Sequence, residues 1–578
     1  MNSKSPPLYA DRRINTRAGN TCKPDQNLLQ VPREDSISGP SRSKSREWGG
    51  RLPVALVFPE ERSLALSTLG WQAVYMQLEE EGTFHVQRFF WDRRQGRAVN
   101  QDSDKTLSDF PLICFSLNFE GDYLNLVQSL QAEGIEVYSG NREKWPLVMA
   151  GGPVTFINPF PVMPSLDFIY VGESEDTFIC IAGALKNCFL QGKDRHKTLE
   201  TIAGLPGIYV SGRTSRAHRQ VAESDSRRLE TPAHSAFVSG QSVFRDSFLV
   251  EINRGCPHGC RFCAAGFVYR PPRTADINKL KELISGIRPR KVGLVGTALT
   301  DWPDLQEFLQ WLKAQKIKFS LSSMRSDGLT SSFLEFLRRS GTRSITLAVE
   351  GISRDLRTAV NKRFDHKKFF QAVEEISRLQ FNTLKLYFIL GLPGESGKDF
   401  QELENFLEEM QQARFKGMGN RKKGIGLIQI SASMFVPKPW TPLQWAAMIS
   451  RQEFESGCRR FKKLCSRHKA VKFTSENPFQ ARIQGLLARG DEKVHELLLL
   501  AAEHQGSWKK ALANWSRDME RYTDRQIPLE ENLPWDRLDI GVKKEYLKRE
   551  WRKYWQGRLT SPCPDTECSN CLRCGMQA

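Results

Sequence analysis

The chain has 578 residues, 40% of them hydrophobic, and a formal net charge of +18. Two or three domains are expected at that length. A membrane-spanning or exported chain is excluded as a reading: no run approaches the roughly 20 apolar residues that cross a bilayer, and the first 50 residues are too polar for a signal peptide.

A cytoplasmic location is therefore expected. In a reducing compartment, clustered cysteines read as metal ligands rather than disulfides. The basic balance suits a polyanionic partner such as RNA, and it equally suits a basic solvated surface.

Residues 1–50 are rich in Ser, Arg, Lys, Pro and Asn and are expected to form a disordered basic tail. Residues 51–212 alternate short apolar runs with helical stretches. Strands are expected at Val54–Phe58, Leu112–Leu117, Leu147–Ala150 and Phe168–Val171, with helices at Leu64–Leu78 and Tyr123–Glu133. That alternation predicts a doubly wound, Rossmann-like α/β domain. Gly151-Gly152 would lie at the carboxyl end of a strand, where such sheets bind ligands, unless it is a tight turn alone. Residues 213–243 are polar and read as a linker or an edge hairpin.

Residues 244–444 repeat the alternation. Strands are expected at Phe248–Ile252, Lys291–Val295, Phe319–Ser322, Ser344–Val349, Thr383–Leu390 and Ile425–Met434. Helices are expected at Ile277–Ile287, Pro303–Ala314, Thr330–Arg339, Lys367–Leu379 and Lys398–Gln412. Six βα units predict a partial (β/α)6 barrel of the TIM type, with ligands at the carboxyl ends of its strands. Residues 445–560 read as a helical C-terminal region whose aromatic residues belong to its core. Residues 561–578 form a Cys-rich tail.

The chemistry concentrates at Asn253–Gly266 (N-R-G-C-P-H-G-C-R-F-C-A-A-G), where Cys256, Cys260 and Cys263 stand in a C-x3-C-x2-C arrangement. Three thiolates on one loop can ligate three irons of a cubane cluster and leave the fourth iron open to a small molecule. Phe262 would shield one side. The spacing and the strand-loop context resemble the radical S-adenosylmethionine (SAM) superfamily.

The resemblance implies a [4Fe-4S] cluster that binds SAM, passes one electron to its sulfonium and yields a 5′-deoxyadenosyl radical. It further implies cofactor contacts at later strand ends. These are Gly296 within G-L-V-G-T-A, Ser322, Ser323 and Arg325, Glu350 in A-V-E-G-I, and Gly391 and Gly394 in G-L-P-G-E. The acidic residue usual near the glycine-rich segment is missing. A reductant of the flavodoxin or ferredoxin type is implied as partner, and no membrane.

The likeness extends through V-G-E-S-E (Val171–Glu175), M-A-G-G-P and N-P-F-P (Met149–Pro161), S-R-D-L-R-T-A-V-N-K (Ser353–Lys362), F-V-P-K-P-W-T-P (Phe435–Pro442), R-G-D (Arg489–Asp491) and W-D-R-L-D-I-G-V (Trp535–Val542). Together these resemble an uncharacterised bacterial branch with an N-terminal cobalamin-binding-like domain. The D-x-H-x-x-G motif that gives cobalt a histidine is absent. Asp194-Arg195-His196 comes nearest, with Leu199 where glycine is needed. Cobalamin and a degenerate scaffold domain both remain open.

Cys563, Cys568, Cys571 and Cys574 would hold a second iron–sulfur cluster or a zinc ion. Three functions stay in view: a radical SAM enzyme that modifies RNA, a cobalamin-dependent methyltransferase acting on a small molecule, and a non-enzymatic iron–sulfur RNA-binding protein.

Overall fold

The computed structural model describes residues 49–222, 228–322, 324–561 and 574–575. Alternation decides the first domain. Along β1 (Leu52–Phe58), Val54, Leu56 and Phe58 face one core while Ala55 and Val57 face another, and all five are buried. A strand buried on both faces belongs between two helical layers. With β2 (Phe84–Asp92), β3 (Arg97–Asn100), β4 (Leu112–Ser116), β5 (Leu147–Gly151), β6 (Phe168–Tyr170) and β7 (Ile208–Tyr209) it forms one sheet in the order β3-β2-β1-β4-β5-β6-β7. The inner five strands are parallel and the two edge strands antiparallel.

The helices here are α1 (Arg62–Ala65), α2 (Leu69–Glu80), α3 (Asp122–Ala132), α4 (Phe178–Leu190) and α5 (Arg195–Ile202). Trp71, Ile181 and Ile202 of α2, α4 and α5 pack on one face, and Leu126 and Leu130 of α3 on the other. This is the doubly wound domain the sequence predicts. Its strand order reverses between β1 and β4, which opens a crevice at their carboxyl ends.

Two local expectations are corrected. The single helix over 64–78 is broken, because Ser67 and Thr68 return their hydroxyls to the carbonyls of Ser63 and Leu64 (2.8 and 2.9 Å) and Thr68 turns extended before α2. The stretch read as a linker is laced into the fold: Ala217–His218 pairs with Leu538–Asp539, and Ser235 exchanges hydrogen bonds with Leu249.

The barrel follows as β8 (Phe248–Glu251), α6 (Ile277–Ile287), β9 (Lys291–Val295), α7 (Leu305–Ala314), β10 (Lys318–Ser320), α8 (Ser331–Arg339), β11 (Ser344–Glu350), α9 (His366–Arg378), β12 (Thr383–Leu390), α10 (Gly397–Met418), β13 (Leu427–Met434), α11 (Arg451–Ser466) and β14 (Val471–Ser475). Strands β8-β9-β10 and β11-β12-β13-β14 form two parallel sheets joined by a bridge between Met324 and Leu347.

The six expected strands are present. Residues 445–560 are not helical throughout, since β14 pairs with Ile428–Ala432 of β13 and adds a seventh strand. That strand satisfies backbone groups which β13 would otherwise leave at an edge. The last long helix is α12 (Lys544–Trp555).

Burial alternates along the later barrel strands. Leu384, Leu386, Phe388 and Leu390 of β12 are buried, and Phe388 packs against Phe406 and Phe461 of the outer helices. Lys385, Tyr387 and Ile389 point the other way and keep solvent access, as do Gln429, Ser431 and Ser433 of β13. The inner face is thus a partly polar, open lumen rather than a filled core.

The first domain is stitched to the C-terminal region and to the barrel by motifs singled out in the sequence. Asn158 of N-P-F-P donates to the carbonyls of Ala488 and Gly490 at the R-G-D segment (3.0 and 2.8 Å). Lys438 of F-V-P-K-P reaches Glu120 at 2.5 Å. Among the described residues, no helix is long and apolar enough to cross a membrane.

Candidate functional site

The loop carrying Cys256, Cys260 and Cys263 leaves the carboxyl end of β8. Its turns are internally bonded: Cys263 N–H donates to the Cys260 carbonyl (3.0 Å) and Gly266 N–H to that of Cys263 (3.1 Å). Gly255 opens it at φ +81°, where a Cβ would collide with the Tyr269 carbonyl, so only glycine suits this turn.

Arg261, between the second and third cysteines, is fully buried and anchors the loop. It donates to the Ala359 carbonyl (2.5 Å) and, through Nε and Nη2, to Glu550 of α12 (3.1 and 2.9 Å). Phe262 is partly buried and packs on the main core.

Burial pushes each of the three thiols up to about 11, and they also act on one another: Cys260 raises Cys256, Cys263 raises Cys260, and Cys256 raises Cys263. Among the described residues, no three His, Cys, Asp or Glu side chains gather tightly enough for a single metal ion. A cubane needs something different, one sulfur for each of three separate irons, and three mutually neighbouring thiols on one loop fit that donor set. Metal binding would deprotonate them against the effect of burial.

Charged side chains from later strand ends converge on this loop. Glu350 ends β11 in a left-handed conformation (φ +70°), just past a bulge between Ala348 and Glu350 that re-aims the strand end. Its carboxylate lies 3.5 Å from Lys362 Nζ. Burial raises the Glu350 carboxyl, and Lys362 partly opposes the rise. Both groups act on Cys260, and Glu350 also acts on Cys263.

Arg325 lies close enough to act on Cys256 and Cys260 while holding Asp327 at 2.8 Å. His258 Nε2 meets Asp301 at 2.9 Å beside Cys256. Lys362, Asp301 and His258 were not anticipated, although Lys362 closes the quoted A-V-N-K motif and His258 sits inside the cysteine loop.

The remaining expected residues have other surroundings. Gly296 follows β9 directly and lies so tightly against Asn253 Oδ1 that a Cβ could not fit. Asn253 accepts there from Thr297 N–H (2.8 Å) and donates to the Ala298 carbonyl (2.8 Å), which locks the cysteine loop to the neighbouring strand. Ser322 is exposed, and Ser323 lies outside the described residues.

Gly391 and Gly394 follow β12 and line a separate pocket of about 600 Å³ with Ile449, Arg460, Trp551 and Trp555. Cys563, Cys568 and Cys571 lie outside the described residues. The Cys574 carbonyl accepts from Arg270 (2.6 Å), whose Nε donates to the Gly266 carbonyl at the cysteine loop (2.6 Å).

A mainly apolar cavity of about 480 Å³ separates the two domains. Its first-domain wall is the β1/β4 crevice with Ser116, Gly152 and Gly172; its barrel wall includes Asn253, Gly255 and Thr297. Among the described residues, no histidine lines it. Asp194 instead caps α5 through Lys197 N–H (2.8 Å), and Arg195 pairs with Asp167 at 2.5 Å, so the nearest approach to a cobalt-ligand motif has a structural job.

A family model described as radical SAM proteins, N-terminal, matches residues 70–211, and one described as the radical SAM superfamily matches residues 250–407. Uncharacterized protein MJ0966 of Methanocaldococcus jannaschii is 25% identical across 77% of this chain and 90% of its own length. A tRNA-2-methylthio-N(6)-dimethylallyladenosine synthase of Clostridium botulinum is 24% identical across 56% of this chain and 73% of its own. Among solved structures, the radical SAM methyltransferase TsrM of Kitasatospora setae, with cobalamin and a [4Fe-4S] cluster bound, superposes with a TM-score of 0.51 at 12% identity. That likeness covers 80% of this chain and 99% of TsrM, and it is one of fold.

Proposed function

Because this chain belongs to the radical S-adenosylmethionine superfamily, we propose that it cleaves SAM reductively at an iron–sulfur cluster held by Cys256, Cys260 and Cys263. The supporting observation is the placement of these thiols. They share one loop at the carboxyl end of the first barrel strand, with Glu350, Lys362 and Arg325 brought beside them from later strand ends. When bound, the cluster would supply the electron that breaks the carbon–sulfur bond of SAM and releases a 5′-deoxyadenosyl radical.

The chain's own residues do the rest. Arg261 and Asn253 hold the loop in place, and Phe262 screens one side of it. Glu350 would accept from a ribose hydroxyl, and Arg325 would face the cofactor's carboxylate. The open lumen beyond them, with Lys385, Tyr387 and Ser431, receives the substrate. A flavodoxin- or ferredoxin-type donor in the cytoplasm would supply the electrons.

Anaerobic reconstitution with iron and sulfide, followed by reduction, should yield 5′-deoxyadenosine from SAM. The Cys256→Ala/Cys260→Ala/Cys263→Ala variant should yield none. Cleavage by that variant at the wild-type rate would overturn the reading.

A second reading takes methyl transfer as the outcome, with cobalamin in the interdomain cavity. Its support is the cavity itself, at the switch point of a doubly wound sheet and against the cysteine loop. Among the described residues that line the cavity, no histidine is offered to the cobalt. Incubation with cobalamin followed by gel filtration should leave corrinoid absorbance with the protein, and protein emerging without it would sink this version.

A further inference from the structure

The pocket at Gly391–Gly397 has features that the cysteine loop does not explain. Its walls come from the loop after β12, from α11 through Glu453, Gly457 and Arg460, and from α12 through Trp551 and Trp555. Trp555 is 52% exposed at the end of a half-buried helix, and its ring stands 3.5 Å from where a Cβ on Gly394 would be.

The two helices are basic. Arg459, Lys462 and Lys463 of α11, and Arg549, Arg552 and Arg558 on or just after α12, are exposed. Among the described residues, none of these six is in an ion pair, whereas Arg467 and Lys553 are paired with Glu404 and Glu550. Lys463 lies three residues after Arg460, and Arg552 three before Trp555. Each is therefore the helix-surface neighbour of a residue that lines the pocket.

The floor is different. The Glu395 carboxyl, pushed up to about 7 by burial, accepts from Gly391 N–H (3.1 Å), and Gln526 stands nearby. The end of α10 offers no anion site, because Ser396 and Asp399 already cap it reciprocally. A phosphate therefore belongs on the cationic rim. A flat, hydrogen-bonding, uncharged group belongs on Trp555 and the floor.

We propose that this groove between α11 and α12 binds single-stranded RNA, with one base stacked on Trp555 and the flanking phosphates on Arg460, Lys463 and Arg552. Arg460 is steadied there by stacking on Phe400 and by donating to the Gly397 carbonyl (3.2 Å), and aromatic platforms in a cationic groove are how single strands are held without a fixed sequence. The groove opens at the carboxyl end of β12, on the same rim of the barrel as the cysteine loop. It thus deepens the proposed function by naming RNA as the substrate class, and it rests on that reading only for what happens after binding.

The test is anisotropy of a fluorescein-labelled 12-nucleotide RNA with the full-length reconstituted protein. About three phosphate contacts predict that affinity falls roughly 20-fold between 50 and 200 mM KCl. Trp555→Ala should weaken binding at least about fivefold, with Trp555→Phe retaining most of it. Arg552→Glu should flatten the salt dependence by about one contact.

SAM cleavage without RNA, measured as 5′-deoxyadenosine, should be unchanged in all three variants. Absence of binding at 50 mM KCl, equal binding by Trp555→Ala, or heparin binding with the same response to Trp555→Ala would each overturn the proposal. Loss of SAM binding in Trp555→Ala would also overturn it, by assigning the pocket to the cofactor. A wild-type protein that binds RNA but never cleaves SAM would leave this groove standing and remove the radical reading instead.

Discussion

Arg254 Nη1 lies 2.9 Å from Glu173 Oε2, so the strand leading into the cysteine loop is tied to the first domain two residues before Cys256. The same Glu173 carboxylate takes Arg273 through both guanidinium nitrogens (2.8 and 2.6 Å), while Arg254 also holds Glu175 and Glu251 (2.6 and 2.7 Å). Burial alone would raise the Glu173 carboxyl, but the Arg273 hydrogen bond and the charges of Arg254 and Arg273 outweigh it and hold it below the ordinary range. The V-G-E-S-E motif is thus a clamp on the loop.

Glu173→Gln should cost about 3–5 kcal/mol, because it leaves the buried Arg273 guanidinium without its counter-charge. The check is the urea midpoint of the reconstituted protein, read together with iron per chain. An unchanged midpoint with full iron content would show that the loop does not depend on the first domain.

His495 offers a pH-dependent seam between the domains. It is buried against Tyr138 and within 3.3 Å of Ser165 Oγ, and burial lowers it to about 4. Below the unfolded value of about 6.5, the unfolded chain binds a proton that the folded chain refuses. Stability from this group is therefore complete above pH 6.5 and declines as pH falls from 6.5 to 4, by about 3 kcal/mol in all. His495→Gln should flatten the thermal midpoint across that window. If the variant shows the wild-type slope, another group carries the dependence.

Much of this architecture was legible in the chain. The C-x3-C-x2-C spacing of the loop and the apolar runs of the six barrel strands are readable in the sequence. β2 is not, because Gln87 and Arg88 are buried in mid-strand and Arg88 is neutralised by Asp102 at 2.6 Å, a partner that hydropathy cannot display. β14 was hidden for the opposite reason. Val-Lys-Phe-Thr-Ser is half exposed at the open end of the sheet and follows a basic helix. The Glu350–Lys362 pair depends on two loops meeting over the cysteines, which no local pattern encodes. The polar alternation of Lys385 and Tyr387, and of Gln429 and Ser431, was a readable sign of the open lumen.

The tail should carry its own metal. Cys574 sits beside the cysteine loop by way of Arg270, while Cys563, Cys568 and Cys571 lie outside the described residues. Cys568→Ala/Cys571→Ala should lower the metal content per chain, by about four irons for a cluster or one zinc, while SAM cleavage persists. Elemental analysis of the two proteins decides it. Equal metal content would mean that the terminal cysteines are not ligands.

Glu350 is the sharpest test of how the loop and the lumen cooperate. The residue is held at φ +70°, past a bulge, with its carboxylate 3.5 Å from Lys362 and near two of the three thiols. A non-glycine residue in that conformation costs about 1 kcal/mol or more, and here it turns the carboxylate toward the cysteine loop. Glu350→Gln keeps the shape but removes the charged acceptor, a loss of about 1.5–3 kcal/mol when a hydrogen bond to a charged group is forfeited. The expected result is SAM binding weakened by about 10- to 100-fold, with the iron content and the visible spectrum of the reconstituted protein unchanged. Equilibrium dialysis with labelled SAM measures the first and absorbance the second. If iron is lost along with SAM, Glu350 acts on the loop's geometry rather than on the cofactor, and Lys362→Met should then reproduce the defect.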